Sequence, residues 1–271
     1  MQKLHNPQTI RRILTILIVI VGIRQFFNGA FENVFTCVLC FLLMGAPDFI
    51  SKRFDIVLPG FLQSVIMIFI FSAEILGEVN AYYVRIPMWD TMLHTINGFL
   101  MAAIGFSLVD IFNRSERFLV KLSPLFVSIV AFCFSMTIGV LWEFFEFGMD
   151  MLFHTDMQKD FFVTAINSVS LDPTRSNTPV HLKINELIVN GEDWLAMYGG
   201  YLDIGLIDTM KDLFVNFIGA AVFSCIGFFY VKHRGSKKSI ASDLIPTVPR
   251  TDDDKLDSFG NPRGQEEQEI K

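Results

Sequence analysis

Cysteine is scarce in this chain and missing from every loop: Cys37, Cys40, Cys133 and Cys225 all fall inside apolar runs. The Cys37-x-x-Cys40 pair therefore has no loop thiol to exchange with. Reactive thiols need an accessible, electropositive setting, so the four read as small hydrophobes. A basic stripe is missing too. The net charge is -6, with much of the acid in the C-terminal tail and in one long loop, so no surface is laid out to meet phosphates and nucleic acid is excluded as a partner. There is no internal repeat, and the compact metal signatures E-x-x-H, H-E-x-x-H and the EF-hand loop are lacking. Above all, charge is lacking across several long hydrophobic runs.

Those runs fix the class. Hydrophobic residues make up 52% of the chain, 29 of its residues are Phe, and the mean hydropathy is +0.45, outside the range of soluble domains. The sequence predicts an all-α membrane protein, a bundle of about six transmembrane helices in a multi-pass arrangement in the plasma (inner) membrane, with lipids as its surroundings. The spans are expected at residues 10–28, 33–50, 57–77, 88–112, 122–150 and 207–231. The first has the layout of a retained signal anchor, since Asn28-Gly29-Ala30 is a poor cleavage site. The second is short, bounded by Glu32 and by Pro47-Asp48. Residues 154–205 form a polar loop marked by turns at Asp172-Pro173, Asn177, Pro179 and Gly191. A connection of that length reads as functional, or as a small cap over the helices. Residues 232–271 are charged, contain Pro and Gly, lack an apolar period, and are expected to be a disordered cytoplasmic tail.

Positive residues orient the spans. Lys3, Arg11 and Arg12 precede span one, Lys52 and Arg53 follow span two, Arg114, Arg117 and Lys121 follow span four, and Lys232, Arg234, Lys237 and Lys238 follow span six. The opposite side has only Arg24 and Arg85 in its short loops. Both termini are therefore expected in the cytoplasm. With that orientation Glu74, Asp90, His94, Glu143, Glu146, Asp150, Asp208 and Asp212, which come from four different spans, fall in one outer layer. No acid stands out in the inner halves of the spans.

Each set lies on one helix face. Asp90, His94 and Asn97 follow at four and seven residues, Glu143, Glu146 and Asp150 at three and seven, and Asp208, Asp212 and Asn216 at four and eight. Like charges a turn apart repel, and a carboxylate at bilayer depth costs about 2.5 to 3.5 kcal/mol on insertion scales. Arg85 and Lys211 are too few to balance them, which leaves a metal, protons or interfacial water. Oxygen donors with one imidazole suit Mg, Mn, Ca or a carboxylate-bridged iron pair better than structural zinc. The metal ligands expected are Asp90, His94, Glu143, Glu146, Asp150, Asp208 and Asp212, with Asn216 as a supporting polar residue. Ordinary roles are also open: Asp208 as a helix N-cap, Asp150 solvated at a helix end, His94 hydrogen-bonded to Asp90. Trp89, Trp142, Tyr82 and Tyr83 suit an aromatic belt, Gly98, Gly105 and Gly139 close helix packing, and Arg85 an interfacial snorkelling position.

The stretches WDTMLHTINGF (Trp89 to Phe99), LWEFFEFGMD (Leu141 to Asp150) and GYLDIGLIDTMKDLFVNFIGA (Gly200 to Ala220) resemble motifs of the YjdF-like bacterial inner-membrane proteins. The likeness covers roughly spans three to six. It implies a topology and a polar site at the positions named above, and no reaction.

The expected function is a carboxylate and histidine site at the outer face, binding a divalent metal as a structural or catalytic centre. If catalytic, Glu143 or Asp212 is the candidate base, acting on an outer-leaflet lipid or an extracellular small molecule. A cation- or proton-coupled transporter using the same acids is the alternative from another class. An interaction protein working through the loop is the third.

Overall fold

The computed structural model of the chain describes residues 6–54, 56–114, 122–232 and 245. The charged tail expected beyond the last span lies outside the described residues except for Lys232 and Ile245.

The chain is built mainly from helices whose apolar faces meet lipid or one another. Helix α1 (Pro7–Phe27) starts at Asn6, whose side chain accepts the N–H of Gln8 at 3.0 Å, with Pro7 in the first turn where no N–H is needed. Helices α2 (Phe31–Leu43) and α3 (Ala46–Phe54) follow, broken at Met44-Gly45. Helix α4 (Gly60–Phe71) runs into a π-helical segment, Ser72–Val79, which carries Glu74 and Glu78. A short α5 (Tyr82–Arg85) leads to α6 (Trp89–Arg114), then α7 (Pro124–Phe153), which is capped by Ser123 accepting the N–H of Phe126.

Among the described residues, five helical segments are long and apolar enough to cross a membrane: Phe31–Arg53, Gly60–Val79, Trp89–Asp110, Pro124–Phe153 and Leu206–Lys232. The expected six included residues 10–28. Helix α1 is there, but the uncharged stretch between Arg12 and Arg24 is about half of the ~20 residues a crossing needs. The second span crosses only if α2 and α3 are taken together. Outward-facing Leu141, Phe144, Phe147, Leu152 and Phe153 on α7 are all exposed, as a lipid-facing surface requires.

Between α7 and the last helix the polar loop folds into three two-stranded antiparallel ladders. β1 (Phe162–Val163) pairs with β6 (Tyr201–Leu202), β2 (Ala165–Ser168) with β3 (Val180–Lys183), and β4 (Ile188–Val189) with β5 (Glu192–Asp193). The β4–β5 hairpin turns on Asn190-Gly191, both at positive φ (52° and 87°), the pair that a two-residue turn of this hand demands. A short α8 (Trp194–Tyr198) follows β5, and after β6 the chain enters α9 (Leu206–Lys232).

Helices α6, α7 and α9 pack on one another as a three-helix bundle, whose deep layer is Ala102, Ala103, Phe106, Val127, Ala131, Ala220 and Phe223, joined by Ile245. A second group, α1, α2, α4 and the π segment, closes around Cys37, Cys40, Met67 and Ile75. Leu100 of α6 joins Leu62 and Ile66 of α4 and links the two groups. Small residues let the bundle helices approach. A Cβ on Gly98 would strike the backbone of Asn216, one on Gly139 would lie 2.7 Å from its side-chain nitrogen, and one on Gly105 would meet Phe134.

Candidate functional site

Helices α6 and α9 begin, and α7 ends, at the same end of the bundle. The polar positions of all three therefore meet there. His94 of α6 is at the centre, 8% exposed. Its Nε2 faces Asp90 Oδ1 at 3.6 Å, one turn earlier on the same helix, and Asp212 Oδ2 of α9 at 3.8 Å. Its Nδ1 faces Glu143 Oε1 of α7 at 3.8 Å. These separations are too long for hydrogen bonds. They are close to the 3.0 to 3.4 Å or so that separates ligand atoms held about 2.1 Å from a common ion.

Two groups of ligand atoms, each within 4.8 Å of one another, share the histidine: Asp90, His94 and Asp212, and His94, Glu143 and Glu146. Glu146 is anchored by Trp142, whose indole N–H donates to Oε1 at 2.7 Å. Glu143, Glu146 and Asp212 are all buried, and Asp90 is half-buried. Among the described residues no lysine or arginine forms an ion pair with any of the four carboxylates. Lys211 Nζ lies over the Phe161 ring, 3.4 Å from its centroid, and Lys159 Nζ turns to Asp156. Four carboxylates without a cationic side chain, in a setting with little water, require a compensating charge from elsewhere.

Asp150 and Asp208 stand outside both groups and hold the loop instead. Asp150 accepts from Thr155 Oγ1 (2.8 Å) and from the N–H groups of Met157 (2.7 Å) and Gln158 (2.9 Å). Asp208 accepts the N–H of Lys159 at 2.7 Å. The N-cap role expected of Asp208 is filled by Asp203, which accepts the N–H of Ile207 at 2.8 Å and that of Phe161 at 2.7 Å. The result is a strap, residues 155–161, fastened across the site. From it the Gln158 amide reaches inward, donating to Thr209 Oγ1 at 2.6 Å and lying 3.4 Å from Glu143 Oε2.

Beneath the cluster, Asn216 is 1% exposed and closes the floor. Its Oδ1 accepts from Asn97 Nδ2 at 3.4 Å, its Nδ2 donates to Ser135 O at 3.5 Å, and Ser135 Oγ donates to Gly98 O at 2.7 Å. Asn216 thus supports the site and does not enter it.

Two participants carried no signal of their own in the sequence. Gln158 lies in a polar loop without periodicity. Tyr83, which the sequence assigns to an aromatic belt, packs its ring on Gly77 of the π segment. Burial first, and then the carboxylates of Asp90, Glu78, Glu74 and Glu146, hold its phenol well above the usual tyrosine range. It is therefore neutral among acids. The one hint was its place three residues after Asn80, in a turn that joins two acid-bearing helices. Asp110, which no sequence pattern singles out, is 2% exposed near the far end of α6, so that end of the bundle also holds a buried acid.

Residues 9–233 match the family described as "Predicted membrane protein (DUF2238)", in keeping with the YjdF-like motifs. No curated protein and no solved structure matches the chain.

Proposed function

The chain belongs to this family of predicted membrane proteins, and on that footing we propose that its carboxylate and histidine cluster is a divalent-cation site at the outer face of a multi-pass inner-membrane protein. The observation that carries the reading is the convergence of Asp90, His94, Glu143, Glu146 and Asp212 from three helices onto ligand-like spacing, with no lysine or arginine among the described residues paired to them. Mg, Mn, Ca and Fe all suit such a donor set. His94 would ligate through Nε2, with Glu143 on its Nδ1 fixing the ring's orientation, an arrangement common around metal-bound imidazoles. A cation held there is a Lewis acid or activates water. Glu143, beside Gln158 and Thr209, is the residue placed to move a proton next to it.

The orientation follows the positive residues flanking α3, α6, α7 and α9, and puts the strap and the loop ladders outside with both termini in the cytoplasm. The N-terminal placement needs α1 to cross as a sixth span. The side assigned to the site does not depend on it. A reporter fused within residues 164–200 tests the side, and a cytoplasmic signal there overturns it.

A transport role is disfavoured by packing. Below Asn216 the bundle is shut by fully buried Ala102, Phe106, Ala131, Ala220 and Phe223, a dry layer between the site and Asp110. Elemental analysis of the purified protein beside His94→Ala and Asp212→Asn tests the metal reading. Stoichiometric metal in the wild type, lost in both variants, is expected. Wild type without metal, even after growth in metal-supplemented medium, sinks the proposal.

A further inference from the structure

The cluster offers two groups of ligand atoms that share one histidine. Asp90 and Asp212 face His94 Nε2 from one side, while Glu143 faces Nδ1 from the other, with Glu146 one turn along α7. The carboxylates thus fall into two pairs on opposite edges of one imidazole. If all four are ionised they carry a charge of about -4, and a single divalent cation leaves half of it in a poorly hydrated setting. Two divalent cations leave none.

The pairs are also unequally served by the protein. Glu146 accepts from Trp142, and Glu143 lies against Gln158. Asp212 is 2% exposed, points at His94, and has another carboxylate, that of Asp90, as its hydrogen-bond partner. Two carboxylates facing each other at that depth need a proton or a cation between them, which a packing contact does not supply. The two groups share a residue, and each fits within 4.8 Å. That is compact enough for two ions separated by about 3.5 to 4 Å, the usual distance in paired-metal sites.

Building on the proposed cation site, we propose that it is dinuclear, with one divalent ion held by Asp90, His94 and Asp212 and a second held by Glu143 and Glu146. A neutral imidazole has one free lone pair. It goes to the first ion through Nε2, while the Nδ1 edge faces Glu143 at 3.8 Å, so the histidine stands between the two positions. Different helices serve the two positions, α6 with α9 for the first and α7 for the second, so they can be separated by mutation.

Manganese(II) is the probe. The full chain, in lipid nanodiscs and stripped with chelator, is titrated with Mn(II); bound metal is counted, and the low-temperature electron paramagnetic resonance spectrum is recorded. Two ions per chain and a spin-coupled spectrum are expected in the wild type. Glu146→Gln, which leaves Asp90, His94 and Asp212 intact, is expected to bind one ion and show the hyperfine sextet of isolated Mn(II). One ion per chain with that sextet in the wild type overturns the dinuclear assignment and leaves the single-metal site standing. No bound Mn(II) in the wild type overturns both. If Glu146→Gln does not fold, wild-type stoichiometry and spectrum alone decide the matter.

Discussion

Asp208 accepts the backbone N–H of Lys159 at 2.7 Å across a gap of 49 residues, and so joins the start of α9 to the strap that leaves α7. Because Asp203 supplies the helix cap, Asp208 is free to make this tie. Asp150 completes it from α7 through Met157 and Gln158. The strap is thus fastened by carboxylates of both neighbouring helices, and Gln158 is held over Glu143 as a consequence.

Removing either fastener should therefore open the strap without dismantling the bundle. A backbone N–H losing a charged acceptor forfeits about 1.5 to 3 kcal/mol. In Asp208→Ala, hydrogen exchange at Lys159 is expected to accelerate, and in Asp150→Ala at Met157 and Gln158, while amides in the middle of α6 and α7 keep their protection. Uniform acceleration throughout the bundle would show that the strap is not a separate unit.

The contrast between strap and helices explains what could be read from the sequence. The faces bearing His94, Glu143 and Asp212 were legible because helical period places residues three and four apart together, and because long apolar runs make an intramembrane acid conspicuous. The strap was not, since its bonds use backbone donors in a loop, which no side-chain pattern records. The same limit made Asp208 look like a cap when Asp203 holds that place. The ladders at Phe162–Val163 and Ile188–Val189 are two residues per strand, too short for alternation to show. The break between α2 and α3 was foreshadowed by Pro47 and Asp48, of which Asp48 pairs with Arg11 of α1 at 2.6 Å.

The floor of the site sets a packing test within one helix. Gly139 and Gly148 both lie in α7, but a Cβ at Gly139 would press on Asn216 whereas one at Gly148 meets nothing within 4 Å. Gly139→Ala is expected to destabilise by about 1 to 3 kcal/mol through overpacking. Gly148→Ala should be neutral or stabilising by up to about 1 kcal/mol, from helix propensity. Thermal unfolding in one detergent distinguishes them, and equal midpoints would refute the close approach of α7 and α9.

Outside the membrane, Asp172 sets a pH test. Its carboxylate accepts from Thr174 Oγ1 (2.6 Å) and N (2.9 Å) and from Ser176 N (2.8 Å) and Oγ (2.9 Å). These bonds, Thr174's hydroxyl foremost, hold its pKa well below the ordinary 3.8. A depressed folded-state value means that the turn's stabilisation is full above the unfolded value and is lost as pH falls through the folded one. The turn should therefore persist at pH 3.8 and loosen only in stronger acid. Asp160 runs the other way: burial, then Asp156 and Asp203, raise its pKa, so its ionisation weakens the folded loop as pH rises above 3.8. Carboxyl-¹³C titration of the labelled protein reads both. A midpoint for Asp172 at or above that of Asp160 would contradict the hydrogen-bond pattern.

Asp212 separates the cost of the site from its use. Without a cation, its buried carboxylate faces those of Asp90 and Glu143 with no lysine or arginine paired to it among the described residues, so Asp212→Asn is expected to raise the unfolding temperature of chelator-treated protein. With a cation the sign should reverse. Wild type at a hundredfold excess of metal over Kd gains about 2.7 kcal/mol by mass action, and the variant, deprived of a ligand, gains little. Unfolding curves of the two proteins should therefore cross as metal is added. Parallel curves would mean that the acids are neutralised by protons, since protonation stabilises the cluster without any dependence on metal.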